Sequence, residues 1–307
     1  MTMAITTISP SERSALSGII LAATAFALLT ATDTIFKLVA AKGYPAHQIL
    51  LINAFFALIP IFTWTMLTGG LARLSTQHPF QHLMRGSVSV MSAFAAIYAY
   101  SRLPLTDFYA IVFAGPLIVT ALSSFWLREK IEPGRWFAIA AGFAGILIIT
   151  GPFTLHDAIP NTAASFGRLA AFVSVFCYAL SVVMIRHMRL GESNISFSFY
   201  GYIAAIMIGG ILFALRGGLS LHMGDIATLA LSGSLAGTSS ICLMTAYHRT
   251  PVAVVAPFQY TQIIWGAVAG YLLWLHMPGP RLIIGALIVA ASGLFVIYRE
   301  LKVQDRP

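Results

Sequence analysis

The chain has 307 residues, 58% of them hydrophobic and only 9% charged, with a mean hydropathy of +0.85. A soluble domain carries roughly 25% charged residues, so this chain lacks the polar surface to cover itself in water. Its net charge of +8 comes from Lys and Arg scattered singly between apolar runs, without the basic cluster or stripe that nucleic acid demands.

The first apolar run covers residues 16–41. Ala23-Thr24-Ala25 inside it resembles a signal cleavage site, but the run outlasts the apolar core of a signal peptide, about 7–15 residues. It reads as a membrane helix retained in the protein. Nine further runs follow, at 46–68, 82–102, 105–127, 134–151, 164–188, 194–215, 225–248, 251–275 and 280–299. A bilayer is crossed by about 20 helical residues, and a helix satisfies its own backbone in lipid. The expectation is an all-α polytopic membrane protein of ten transmembrane helices. Gly43-Tyr44-Pro45, Gly69-Gly70, Pro133-Gly134, Gly151-Pro152, Gly217-Gly218 and Pro278-Gly279-Pro280 separate the runs with turn chemistry. Cys177 and Cys242 lie inside runs, and their spacing fits neither a metal site nor a disulfide framework. No cofactor and no metal is expected.

With the N-terminus in the cytoplasm, 12 of the 18 Lys and Arg residues fall on the inner side and 5 on the outer, leaving Lys37 within the first helix. The positive-inside rule therefore predicts that both termini are cytoplasmic.

Ala99-Tyr100-x-Arg102-x-Pro104 returns 147 residues later as Ala246-Tyr247-x-Arg249-x-Pro251. Within a residue or two of that offset, Lys37 meets Arg186, Gly43 meets Gly191 and Glu129 meets His276, while "GILII" at Gly145 resembles "GLFVI" at Gly293. The chain thus reads as two five-helix copies, residues 1–151 and 164–299, with a cytoplasmic tail at 300–307. Five is odd, so the second copy must enter the membrane from the opposite side. Such inverted repeats are recurrent in secondary transporters, with the substrate site near the midplane between them.

"YSRLPLTDFYAIVFAGPLIVTALSSFWLREKIEPGRWFAIAAGFAGILI" and "PFQYTQIIWGAVAGYLLWLHMPGP" resemble the fourth and fifth helices and the ninth helix of the EamA-type drug/metabolite transporter superfamily. Within it the chain resembles the bacterial amino-acid exporters of the YddG type. The resemblance implies a ten-helix carrier of small organic metabolites in a bacterial inner membrane, without ATP-binding parts, lined by helices 1, 3, 4, 6, 8 and 9. His276 departs from the glutamate that usually ends the ninth helix of relatives.

Several residues are candidates for contact with a substrate. In "TATDTIFKL", Thr30, Asp33, Thr34 and Lys37 share one helical face. A charge deep in the bilayer costs about 2.5–3.5 kcal/mol, so it lines a cavity or finds a partner. Two readings stand side by side: an Asp33–Lys37 pair at i, i+4, or Asp33 facing the central path to meet an ammonium or a proton. Asp107, in the first turn of its helix, reads as a complement to the helix dipole or a local partner of Arg102. Gln259, Tyr260, Gln262 and Trp265 of the ninth helix offer amides and aromatic rings, and Tyr98, Tyr178, Ser89, Ser92 and Thr238 offer hydroxyls. Each could instead serve helix packing through interhelical hydrogen bonds. Gly233/Gly237 and Gly266/Gly270 form GxxxG pairs, a packing device. Pro116 and Pro257, inside the fourth and ninth helices, are hinge candidates, since each removes a backbone bond.

The leading expectation is amino-acid export by alternating access. Other small metabolites or drugs are the alternative cargo. A channel or an intramembrane protease is more remote: neither a carbonyl filter loop nor an H-E-x-x-H motif is present. The lipid bilayer and a small-molecule substrate are the implied partners.

Overall fold

The computed structural model describes residues 10–126, 133–150, 162–188, 193–250 and 255–304. Among them the chain is helical, with no strand. Glu129, Gly191 and Pro251, which entered the repeat comparison, lie outside the described residues.

The first half contributes α1 (Pro10–Ala41), α2 (Ala46–Thr68), α3 (Pro79–Tyr100), α4 (Leu105–Val112), α5 (Gly115–Trp126) and α6 (Pro133–Thr150). The second contributes α7 (Thr162–Met188), α8 (Asn194–Arg216), α9 (Met223–Arg249), α10 (Gln262–Trp274) and α11 (Pro280–Gln304). Short 3-10 helices add Leu71–Leu74 before α3 and Ala256–Thr261 before α10. Among the described residues six stretches are long and apolar enough to cross a bilayer: Leu16–Ala41, Ala46–Thr68, Leu105–Ser123, Thr162–Ile185, Ile195–Arg216 and Met223–Arg249. Trp136–Ile149 and Pro280–Phe295 are shorter apolar helices.

Turn chemistry sits where the sequence places it. Gly43 adopts φ 87° in the hairpin between α1 and α2, a left-handed conformation open to glycine at no steric cost. Leu275 takes φ 53° without being glycine, and the N–H of His276 returns to the Gly270 carbonyl at 3.1 Å. The chain therefore folds back over the end of α10.

Helices of one half pack mainly on helices of the other. α1 runs antiparallel along α9, tied by Thr32 Oγ1 to the Ser232 carbonyl (3.2 Å) and by Ser239 Oγ to the Ala25 carbonyl (2.8 Å). α3 runs antiparallel along α7, tied by Ser92 Oγ to the Ser174 carbonyl (2.7 Å) and by the Ser89 and Ser181 hydroxyls (2.8 Å). α1 corresponds to α7 and α3 to α9 in the repeat, so the same crossing is made twice with roles exchanged. α2 lies against α9 where Gly233 and Gly237 admit the α2 backbone: a Cβ at either position would run into the Asn53 or Ala57 carbonyl. Asn53 Nδ2 donates to Ser232 Oγ there at 2.9 Å. α6 and α11 meet at Gly145 and Gly285, each seated against the other's carbonyl oxygen. Small residues let backbones approach closely, which drives helix association where lipid supplies no hydrophobic force.

The run 105–127, expected as one helix, is broken. α4 ends at Val112, Phe113 and Ala114 form a turn, and α5 begins at Gly115. Pro116 has no N–H to offer the Val112 carbonyl, so the helix ladder loses a rung at that point. The ninth run shows its break at the corresponding place, with a 3-10 segment holding Pro257 up to Thr261 and α10 starting at Gln262, 147 residues after Gly115. Phe113 and Tyr260, also 147 apart, touch edge to face with centroids at 4.7 Å.

Candidate functional site

Asp33 projects from the middle of α1 into the space between the halves and is only 9% exposed. The Tyr109 hydroxyl of α4 donates to its Oδ2 at 2.9 Å. The Tyr100 hydroxyl, from the last residue of α3, lies against the same carboxylate, and the Thr30 hydroxyl lies beside that of Tyr109. Thr30 Oγ1 itself donates back to the Phe26 carbonyl at 2.9 Å. A buried carboxyl group needs hydrogen-bond donors, and the Tyr109 phenol supplies one here, with the Tyr100 phenol close by. Tyr109 reaches Asp33 because Gly266 of α10 leaves it room; a Cβ at Gly266 would stand 2.7 Å from the tyrosine ring.

Lys37, one helical turn further along α1, does not pair with Asp33. Its Nζ donates to the carbonyl oxygens of Tyr100 (2.7 Å) and Leu103 (2.5 Å), and it stands 5.4 Å over the Trp274 ring. Those carbonyls end α3, where helix geometry leaves acceptors unfilled and the dipole favours a cation. Above Lys37 opens a cavity of about 250 Å³ between the α3–α4 hairpin and the end of α10. Its walls include Lys37, Arg102, Thr106, Gly270, Trp274 and His276. Asp107 feels His276, Arg168 and Lys37. Among the described residues its side-chain hydrogen bond comes from Thr106 Oγ1, at a long 3.4 Å. Arg102 does not reach Asp107; it bonds the Ser101 hydroxyl at 2.8 Å and lies 3.6 Å over the Tyr98 ring. The cavity therefore has a cationic, half-aromatic lining, and Asp33, one turn of α1 from Lys37, forms the buried floor of the site behind that lining rather than part of it.

Thr30 and Asp33 are buried together behind the cavity, and Lys37, on the same face of α1, lines it. Tyr260 and Gln262 lie at the break between the 3-10 segment and α10, Gln262 being 3% exposed and the Tyr260 hydroxyl buried without a partner. Gln259 precedes them and is half-buried. Ser89 and Ser92 belong to the α3–α7 seam, Tyr98 lies under Arg102, and Thr238 donates to its own helix at the Ser234 carbonyl (2.7 Å). Tyr178 and Trp265 are exposed, at 47% and 42%. Tyr109 was not singled out from the sequence. The signal for it was the need of an intramembrane acid for donors, read against the hairpin "YSRLPLTDFY" that carries both tyrosines. Among the described residues no three His, Cys, Asp or Glu side chains gather as a metal ion would require.

The sequence profile of the EamA-like transporter family matches this chain twice, over residues 16–151 and 165–298. An S-adenosylmethionine uptake transporter of Rickettsia bellii is 28% identical over 233 residues, 76% of this chain and 77% of that protein. A riboflavin transporter of Rhizobium johnstonii is 26% identical over 239 residues, 78% of this chain and 76% of that protein. One solved crystal structure shares the fold with a TM-score of 0.63 at 13% identity, covering 95% of this chain and 99% of the other.

Proposed function

Because the chain belongs to the EamA-like transporter family, and is thus a multi-pass membrane transporter, we propose that it carries small zwitterionic metabolites of the amino-acid type by alternating access. The observation that carries this reading is Asp33, a carboxyl group cradled by Tyr100 and Tyr109 below a mouth lined by Lys37, Arg102 and His276. An ammonium or sulfonium group fits the floor and a carboxylate fits the cationic wall. S-adenosylmethionine, named for one relative, has an α-amino acid head, a sulfonium centre and an aromatic base that suits Trp274. It is therefore the first substrate to try, with free aromatic amino acids beside it.

The proposed architecture is ten membrane crossings in two inverted five-helix units, residues 1–151 and 164–299, with both termini and the 300–307 tail in the cytoplasm of a bacterial cell. The exchanged α1–α9 and α3–α7 crossings support it, as do the helix breaks 147 residues apart. Pro116 and Pro257 sit at those breaks and serve as bends when the mouth changes sides. The cavity at the α3–α4 hairpin is then the outward opening.

Proteoliposomes loaded with unlabelled compound and offered labelled S-adenosylmethionine, methionine, phenylalanine or tryptophan test the reading. Saturable counterflow of at least one, weakened in Asp33→Asn, is expected. Absence of flux for every compound sinks the substrate class, and unsaturable conductance sinks the carrier. Flux measured in both directions decides whether export or uptake prevails under a given gradient.

A further inference from the structure

Arg85 lies on α3, away from the outer cavity, and is 6% exposed. Its Nη2 donates to the Phe197 carbonyl of α8, and its Nη1 reaches Ser181 Oγ of α7 at a long 3.4 Å. The Phe197 ring lies 5.6 Å from the guanidinium carbon. Nε is buried with no hydrogen-bond partner. No carboxylate among the described residues comes within ion-pairing distance. A buried guanidinium with, among the described residues, one donor empty, one long contact and no counter-charge is costly inside a bilayer, where such residues mark functional sites.

The surroundings suit a small planar anion. Ser89 and Ser181 bring two hydroxyls, bonded to each other at 2.8 Å, beside the guanidinium. Gly201 faces Nη2 without a side chain, and a Cβ there would come within 3.1 Å of it. Arginine presents a planar fork of donors that matches a carboxylate. The site also sits on the boundary between halves, because α3 comes from the first and α7 and α8 from the second. It lies toward the N-terminal end of α3, whereas the outer cavity lies at that helix's C-terminal end. Hydroxyls line the α3–α7 seam between them, at Ser92, Ser174, Ser89 and Ser181.

We infer that Arg85, with Ser89 and Ser181, is a second, cytoplasmic-side binding station that takes the carboxylate of the transported zwitterion when the halves part on that side. The inference rests on the transport reading above. Outside, Lys37 and its cationic neighbours hold the acid group; inside, Arg85 does. The guanidinium turns into the α7–α8 seam rather than out to lipid, which favours a carried carboxylate over a lipid phosphate.

The test uses the full chain in right-side-out and everted membrane vesicles, with S-adenosylmethionine and its decarboxylated analogue as probes. In Arg85→Gln the half-saturation concentration at the cytoplasmic face, relative to the outer face, rises about ten- to a hundredfold for the carboxylate compound. The maximal rates shift in the same ratio, as equilibrium requires. The decarboxylated analogue is unaffected, and Arg85→Lys, which keeps the charge but loses the fork, falls between wild type and Arg85→Gln. An unchanged ratio, or an equal loss for both probes, overturns the inference. Should Arg85→Gln not fold, wild type alone decides: equal cytoplasmic affinity for both probes overturns it. The same flux in vesicles made without anionic lipid supports the carried carboxylate, and a shift of the ratio on adding such lipid assigns Arg85 to lipid and overturns it. Wild type that moves neither probe excludes S-adenosylmethionine as cargo, and the comparison is repeated with phenylalanine and its decarboxylated amine; movement of none of the four overturns the transport reading and this station with it.

Discussion

Replacing Tyr109 by phenylalanine removes one atom from the centre of the site. The ring is 1% exposed and Asp33 is 9% exposed, so water cannot take the place of the lost hydroxyl. The hydrogen bond is 2.9 Å long and joins α4 to α1. A buried acceptor that loses its partner costs about 1–3 kcal/mol. Tyr100 stays against the carboxylate and keeps the loss in the lower part of that range, about 1–2 kcal/mol. For a chain of this size that corresponds to a fall of roughly 1.5–3 °C in the unfolding midpoint. Asp33→Ala removes the acceptor for Tyr109 altogether. Their combination should show a coupling of about 1 kcal/mol in a double-mutant cycle. Thermal unfolding of the detergent-purified protein, with all four variants in parallel, gives the number. A coupling indistinguishable from zero would refute the argument, because Asp33 would then be held by something other than Tyr109.

Three other outcomes follow from named contacts. Gly266→Ala puts a methyl group 2.7 Å from the Tyr109 ring, and overpacking of this kind costs about 1–3 kcal/mol; stability and affinity should fall together, and a silent variant would mean the ring is free to move. Pro116→Ala restores an N–H opposite the Val112 carbonyl and should slow exchange at normal expression, whereas an unchanged rate would dismiss the hinge. The Lys42 ammonium, 2.5 Å from Asp225 across the mouth of α9, is held above the ordinary lysine value by that hydrogen bond. Its contribution is complete below the unfolded lysine value, about 10.4, and is lost as pH rises through the raised folded value. Midpoints recorded from pH 9 upward should converge for wild type and Asp225→Asn, and curves that stay parallel would remove the clasp from the account.

Much of the helical layout was legible because lipid admits few alternatives. Runs of apolar residues punctuated by Gly43, Gly69 and Gly217 leave little choice but helices, and the hairpin repeat at Tyr100 and Tyr247 exposed the duplication. Breaks at Phe113 and Thr261 were only half legible. Pro116 and Pro257 announced a lost bond, but whether a helix bends or divides depends on what surrounds it. The floor of the site was harder. Asp33 stood out because a carboxyl group in an apolar run is rare, yet its i, i+4 spacing to Lys37 suggested a pair that does not form. Lys37 finds better acceptors in the Tyr100 and Leu103 carbonyls, at the end of α3 and in the turn after it, 63 and 66 residues away in sequence. Arg85 read as a marker of the inner side, and nothing local to α3 reveals that it turns inward to α7 and α8. Partners across a helical bundle are set by tertiary placement, which periodicity does not encode.

Phe113 and Tyr260 occupy the same place in the two halves and touch one another. In the proposed two-fold arrangement, a position that meets its own counterpart lies on the axis itself. In a dimer of two identical halves, one substitution there would alter both faces of the contact at once, so neither face could be adjusted alone. In a single chain the two positions are independent, and they differ: one a plain ring, the other a phenol pressed against Gly293. The centre of the molecule can therefore have a front and a back.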